Sequence, residues 1–242
     1  MIPRFHCPFP LAPGAHVDLP PEAAHHAIKV LRMDDGDAVA LFDGRGGEWT
    51  GRLRRAGKTV TVALESFDDN DREPPLSITL AQGLPAADKM DWIMQKAVEL
   101  GVAAIRPVAC RRSVIRLSGE RMERRVAHWQ AVAVAACEQC RRNRVPEVAP
   151  LLDLPQFLGG SAGDNGLRLI LEPEAGQRLA ELPKPTGPVT LLIGPEGGFE
   201  DGELAAAASV GFQAVSLGPR VLRTETAGIA AIAAMMALWG DF

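Results

Sequence analysis

Three short runs of this 242-residue chain end apolar strands in glycine or proline beside a carboxylate: LLIGPEGGF at 191–199, VSLGPRVLRTETA at 215–227 and LEPE at 171–174. In the first, Pro195 removes a backbone donor, while Gly194, Gly197 and Gly198 permit positive φ and close approach of a ligand to the main chain. The carboxyl ends of parallel strands are where α/β sheets hold ligands. The run fits neither the Walker A pattern nor GxGxxG, which disfavours a phosphate cradle or a standard dinucleotide site. In the second run a polar tetrad, Arg223, Thr224, Glu225 and Thr226, precedes a wholly apolar helix. Thr224 or Thr226 can cap that helix, and Glu225 suits its positive end. Capping leaves Arg223 unexplained, because the helix dipole disfavours a cation there. In the third, Leu171, Glu172 and Glu174 repeat the pattern, and the three strand ends can converge on one pocket or serve three separate turns.

The elements that must position these residues fall into two parts. Residues 68–75, DDNDREPP, combine acids, Asn and two prolines, and read as a linker. Before it, 37–43, 48–53 and 59–64 read as short strands, the last alternating through Val60, Val62 and Leu64. Pro21 and Glu22 suit the first turn of a helix carrying residues 25–31. After the linker, strands are expected at 78–82, 104–109, 169–171, 189–193 and 214–217. Helices are expected at 88–100, capped by Asp88 and closed by Gly101, and at 119–142, 203–209 and 226–239. Alternation at this spacing implies an α/β class with a mostly parallel sheet.

Composition limits the classes open to the chain. Apolar residues make up 47%, enough for a sizeable core, and the four cysteines are too sparse for a disulfide scaffold, which points to a reducing, cytoplasmic compartment. The first residues carry neither a basic start nor a continuous apolar core, so no signal peptide is expected. The stretch 227–239 is shorter than the ~20 residues a membrane span requires, so no membrane partner is expected. The formal charge of −4 argues against indiscriminate polyanion binding, but it averages over three segments. Residues 1–103 carry a net −4, residues 104–144 a net +7 from ten Arg and three Glu, and residues 145–242 a net −7. The middle segment suits phosphate contact and base stacking; a solvated face with internal ion pairs accounts for it equally well.

Other candidates carry less. Cys137 and Cys140 have CxxC spacing without a second pair to complete a zinc site, so they read as packing residues. His25 and His26 diverge by about 100° on a helix and do not chelate. Met90, Trp92, Ile93, Met94 and Ala97 read as core or subunit contacts.

The runs LLIGPEGGFEDGEL and LGPRVLRTETA, with QKAVELGV at 95–102 and EQCRRNRVP at 138–146, resemble the RsmE family. These are SPOUT-class enzymes that methylate N3 of a uridine in 16S ribosomal RNA. MIPRF and HHAIKVLRMDDGD extend the likeness to that family's PUA-like RNA-binding domain, so it covers nearly the whole chain. The resemblance implies a PUA-like β-barrel domain over 1–70 and a SPOUT domain over 71–242, with a trefoil knot at about 190–242. It implies a homodimer acting on the small ribosomal subunit, with S-adenosylmethionine as cofactor. Cofactor contacts carry over to Leu171, Glu172, Gly194, Pro195, Glu196, Gly197, Gly198, Leu217, Gly218, Leu222, Thr226 and Ala227. Arg223 and Glu225 become the catalytic pair at the edge where uracil enters. Arg223 would stabilise the developing anion; Glu225 would act as base or only orient Arg223. RNA contacts fall on Arg4, His26, Arg32, Arg111, Arg112, Arg141, Arg142 and Arg144. Two rivals remain: a SPOUT enzyme for another RNA position, and a non-catalytic ribosome-assembly factor of the same fold.

Overall fold

The computed structural model describes residues 2–57, 59–86, 89–161 and 165–242. By contact density it divides into two units, Met1–Glu73 with Cys137–Val145, and Pro74–Ala136 with Pro146–Phe242.

The first unit contains strands β1 (Arg4–His6), β2 (His16–Asp18), β3 (Ala38–Phe42), β4 (Glu48–Ala56) and β5 (Thr59–Asp68), with helix α1 (Pro21–His25) between β2 and β3. The sheet order is β1-β3-β4-β5-β2; β1 runs parallel to β3 and the other pairs are antiparallel. Alternation works as expected in β5, where Val60, Val62 and Leu64 are buried and join Phe5, Val17, Leu41 and Leu53 in one apolar cluster. β5 itself runs to Asp68, into the start of the expected linker.

The expected helix to residue 31 is corrected. The α-helix ends at His25, and His26–Val30 form a π-helical turn in which Leu31 N–H reaches His26 O. The wider turn buries Ala27 completely, leaves Val30 and Leu31 exposed, and delivers Arg32 into a left-handed conformation at φ 55°.

Residues 137–145 join this unit through specific contacts. Buried Arg4 ion-pairs with Glu48 and donates to Asn143 Oδ1 (2.8 Å) and Arg142 O (3.1 Å). Buried Arg142 ion-pairs with Glu73, its Nε donating to both carboxylate oxygens at 3.1 Å. A first domain continuous in sequence therefore gains a later segment, anchored by arginines whose charge is answered inside the fold.

The second unit contains β6 (Ile78–Gly83), α2 (Lys89–Glu99), β7 (Ala104–Ala109), the body of α3 (Gly119–Cys140), β8 (Glu147–Val148), β9 (Leu152–Asp153), α4 (Leu154–Ser161), β10 (Leu167–Leu171), β11 (Val189–Ile193), α5 (Asp201–Ser209), β12 (Gln213–Val215) and α6 (Thr224–Trp239). All its strand pairs are parallel, in the order β12-β10-β11-β6-β7-β8, with β9 also pairing β7. Five strands and four helices fall close to their expected places. The expected cap Asp88 lies outside the described residues, while Gly101 closes α2 at φ 89°. α4 and the two-residue strands β8 and β9 were not anticipated, being too short to show periodicity.

α2 buries Met90, Ile93, Met94, Ala97 and Val98, an i, i+3, i+4, i+7, i+8 stripe, and leaves Trp92 exposed. α6 is apolar all round, buries Ala227, Gly228, Ala231, Ile232, Met235, Met236 and Trp239, and packs on α2, β6 and β11. Among the described residues no helix is long and apolar enough to cross a membrane.

Candidate active site

Because β12, β10 and β11 are adjacent and parallel, their carboxyl ends share one edge of the sheet. There, the residues that follow these strands surround an open cleft of about 560 Å³. The three strand-end runs singled out by their residue types thus do converge. Leu171, Glu172, Gly194, Pro195, Glu196, Gly197, Gly198, Leu217, Gly218, Leu222 and Ala227 all line the cleft, and so does Arg223.

The backbone at two of these positions depends on glycine. Gly218 sits at φ 123°, where a side chain would be strained although the space beside it is open. A Cβ on Gly197 would stand 2.9 Å from Arg112 Cβ, so Arg112 can lie across the loop and donate to Gly197 O at 2.9 Å. Arg112, expected at RNA, is therefore a wall of the cleft.

The tetrad at 223–226 divides into four roles. Arg223 occupies the N-cap position of α6 in an extended conformation, without a side-chain cap, and lines the cleft. Thr224, one of the two expected caps, does not cap, because it already lies in the first helical turn. Its buried hydroxyl donates to Gly194 O at 2.6 Å and accepts from Gln82 Nε2 at 3.0 Å, tying α6, β11's exit and β6 together. Glu225 ion-pairs with Lys89 (3.2 Å), so the partner the structure gives it is not Arg223. Thr226 also does not cap: it is exposed and off the cleft wall, about 200° round the axis from Thr224. Among the residues expected at the cofactor, it is the one that does not line the cleft.

Lys89 is the residue that sequence reading missed. Its ammonium donates to Glu196 Oε1 at 2.9 Å, meets Glu225 Oε2 at 3.2 Å, and lines the cleft. Glu196 in turn accepts Ala86 N–H at 2.9 Å. Burial alone would raise the Glu196 pKa, but the Ala86 amide and Lys89 outweigh it and hold that carboxyl below its ordinary value. The hydrogen bond to Glu196 raises the Lys89 pKa. Nothing in LPAADK resembles the Gly-Pro-carboxylate pattern of the other strand ends, which is why Lys89 escaped notice.

The remaining expected RNA contacts sort by exposure. His26, Arg32, Arg141 and Arg144 in the first unit are exposed, Arg144 with Asp71 at 3.6 Å; so is Arg111 in the second, with Glu200 at 3.6 Å. Arg4 and Arg142 are withdrawn as free phosphate contacts, because both are buried in the ion pairs described above. Cys137 is buried and donates to Arg144 O, and among the described residues no cluster of His, Cys, Asp and Glu could hold a metal.

A family model described as an RNA methyltransferase domain matches residues 72–236, and a second, an RNA methyltransferase PUA domain, matches residues 19–65. The fold and its strand-end cleft are those of an RNA methyltransferase. Ribosomal RNA small subunit methyltransferase E of Buchnera aphidicola (Schizaphis graminum) is 33% identical, covering 99% of this chain and 98% of its own; that of Bacillus subtilis is 31% identical, covering 88% and 87%. The crystal structure of this enzyme from Neisseria gonorrhoeae, bound to S-adenosyl methionine, superposes at TM-score 0.92 with 41% identity over the whole of both chains. The chain belongs to the ribosomal RNA small subunit methyltransferase E family.

Proposed function

We propose that this protein transfers a methyl group from S-adenosylmethionine to N3 of a specific uridine in 16S rRNA of the small ribosomal subunit. The observation that carries the reading is the cleft itself: three strand ends of a family member close around a cavity that suits a flat base, a cation and an anion-stabilising arginine.

The residues present fit the cofactor. Leu171, Leu217, Leu222 and Ala227 offer apolar contact to an adenine, and Glu172 places a carboxylate on the wall. The open space at Gly218 lets a ligand approach the backbone. When bound, the cofactor supplies an electrophilic methyl group on a sulfonium. The chain's part is to hold the acceptor in line with that methyl and to manage a proton. Uracil N3 carries a proton at neutral pH, and its loss spreads negative charge over O2 and O4. Arg223 would stabilise that charge, and Glu225 would take the proton, as the N3 lone pair forms the new N–C bond and the methyl–sulfur bond breaks to leave a neutral thioether. Glu225 Oε2 is out of solvent, 3.2 Å from the Lys89 ammonium.

The RNA is gripped by the domain over about residues 1–70 and by the exposed arginines of 106–144, Arg111, Arg141 and Arg144, together with His26 and Arg32. The catalytic domain spans about 71–242. A homodimer and a knot over 190–242 complete the reading; the knot is supported by β12 lying beyond β10 while α6 returns to β6 and β11. The cytoplasm, where ribosomes are assembled, is the compartment. Methyl-transfer assays on small subunits from a strain lacking the enzyme, with the modified nucleoside identified by mass spectrometry, test the reading. Appearance of N3-methyluridine at one 16S position is the expected result; a different methylated nucleoside, or none, overturns it.

A further inference from the structure

An imide such as uracil presents N3 between two carbonyl oxygens. Once N3 loses its proton, the charge is shared between O2 and O4, and a site built for that anion would offer a cation to each. Arg223 is one cation on the cleft wall. Among the described residues, the other positively charged side chains on it are Lys89, Arg112 and Arg220. Arg112 is engaged with Gly197 O. Lys89 differs from both arginines in how it is held.

Two carboxylates from different elements fix the Lys89 ammonium: Glu196 from the loop after β11, and Glu225 from the first turn of α6. Among the described residues, the Glu196 contact and an ion pair with Glu225 engage it, and an ammonium has three N–H donors, so donor capacity remains for the cleft that Lys89 lines. The glutamates also fix its protonation state. Its pKa is raised, so it is a standing donor and not a base. The neighbour most suited to take a proton, Glu225, lies 3.2 Å from it.

Resting on the uridine-N3 reading above, we infer that Lys89 is a specificity-determining residue that donates to one uracil carbonyl oxygen while Arg223 serves the other. Glu196 and Glu225 act as positioning residues for the ammonium. The pair of cations selects uracil over cytosine, because cytosine presents an amino group at C4, a donor facing a donor, and cannot satisfy both.

The test uses the full-length protein, a small-subunit substrate with uridine, 2-thiouridine or 4-thiouridine at the target, and the variants Lys89→Met and Lys89→Arg. A thiocarbonyl accepts hydrogen bonds weakly, and its effect on N3 acidity is common to all enzymes compared. Lys89→Met should lower kcat on the uridine substrate by about 100-fold or more and leave the S-adenosylmethionine Kd within about threefold, with Lys89→Arg recovering at least a tenth of the wild-type rate. The wild-type advantage over Lys89→Met should shrink about tenfold for one of the two thio substrates and persist for the other. Three outcomes overturn the inference: an undiminished kcat in Lys89→Met, the same advantage on all three substrates, or a weakened cofactor Kd with kcat unchanged, which would assign Lys89 to the cofactor's carboxylate. If the wild-type enzyme makes no N3-methyluridine, the functional reading fails instead, and the two failures are distinct.

Discussion

Replacing Thr224 by Val isolates one contact beneath the cleft. The two side chains have nearly the same shape, so the substitution removes a hydroxyl without opening a cavity. That hydroxyl donates to Gly194 O at 2.6 Å and accepts from Gln82 Nε2 at 3.0 Å; Thr224 is 6% exposed and Gln82 not at all. Two hydrogen bonds of ordinary net worth, about 1 kcal/mol each, are lost. Gly194 O then loses its donor, and among the described residues the Gln82 side chain keeps its bond to Gly83 O, with its Oε1 already buried and without a hydrogen-bond partner there. Allowing for partial relaxation, the cost is about 2–3 kcal/mol. In a unit of this size that corresponds to a fall in Tm of roughly 5–10 °C. Calorimetry of wild type, Thr224→Val and Thr224→Ser measures it. Thr224→Ser keeps the hydroxyl and should retain most of the stability. Because Gly194 is part of the cleft, Thr224→Val should also weaken S-adenosylmethionine binding about tenfold, read by titration calorimetry. A Thr224→Val protein that melts within 1 °C of wild type would refute the tether and return Thr224 to a passive place in the helix.

Arg223→Ala should leave cofactor affinity nearly intact and depress single-turnover methyl transfer by two or more orders of magnitude; an unchanged rate removes Arg223 from the chemistry. The Glu196 latch should respond to acid. Its folded pKa lies below the unfolded value, so its contribution to stability is complete above the unfolded value of ~4.5 and is lost as pH falls through the folded value. Denaturation midpoints from pH 6 down to pH 3 should therefore fall more steeply for wild type than for Glu196→Gln, and parallel curves would contradict the latch. Glu73→Ala removes the carboxylate that accepts twice from buried Arg142 Nε, and should destabilise the first unit by about 3–5 kcal/mol. Hydrogen exchange localises the loss: protection should drop in β1 to β5, and a loss confined to the second unit would count against the assignment.

Much of the second unit was legible because its signals are local. A buried parallel strand is an unbroken apolar run, and a helix such as α2 shows its stripe within eleven residues. The converging strand ends were legible for a related reason: a parallel sheet puts every carboxyl end on one edge, so Gly or Pro after each strand points to one place. Composition could not assign the arginines. Arg4, Arg111, Arg141, Arg142 and Arg144 are the same residue type, yet two are buried in ion pairs and three are exposed, a difference decided by partners such as Glu48 and Glu73, remote in sequence. The π-helical turn at His26–Val30 likewise depends on which residue the first unit's core receives, Ala27, and not on helix propensity.

The tetrad Arg223-Thr224-Glu225-Thr226 marks the limit of such reading. Four polar residues before an apolar helix look like one capping device, and the first two helical turns would accept them as such. Arg223 precedes the helix in extended backbone, and from Thr224 onward successive side chains turn by about 100°, so each makes different contacts. One meets the cleft, one goes inside to Gln82 and Gly194, one meets Lys89, and one faces solvent. What separates these roles is the identity of the neighbours, which are remote in sequence from the tetrad: Gln82 in β6, Lys89 at the start of α2 and Gly194 after β11. Lys89 shows the converse. It carries no local signal, yet the parallel sheet delivers it to the same edge as Glu196 and Glu225, where a lone cation between two carboxylates is held charged and in place. A residue of that kind is found by asking which charges a site must balance, since its own sequence neighbourhood says nothing about it.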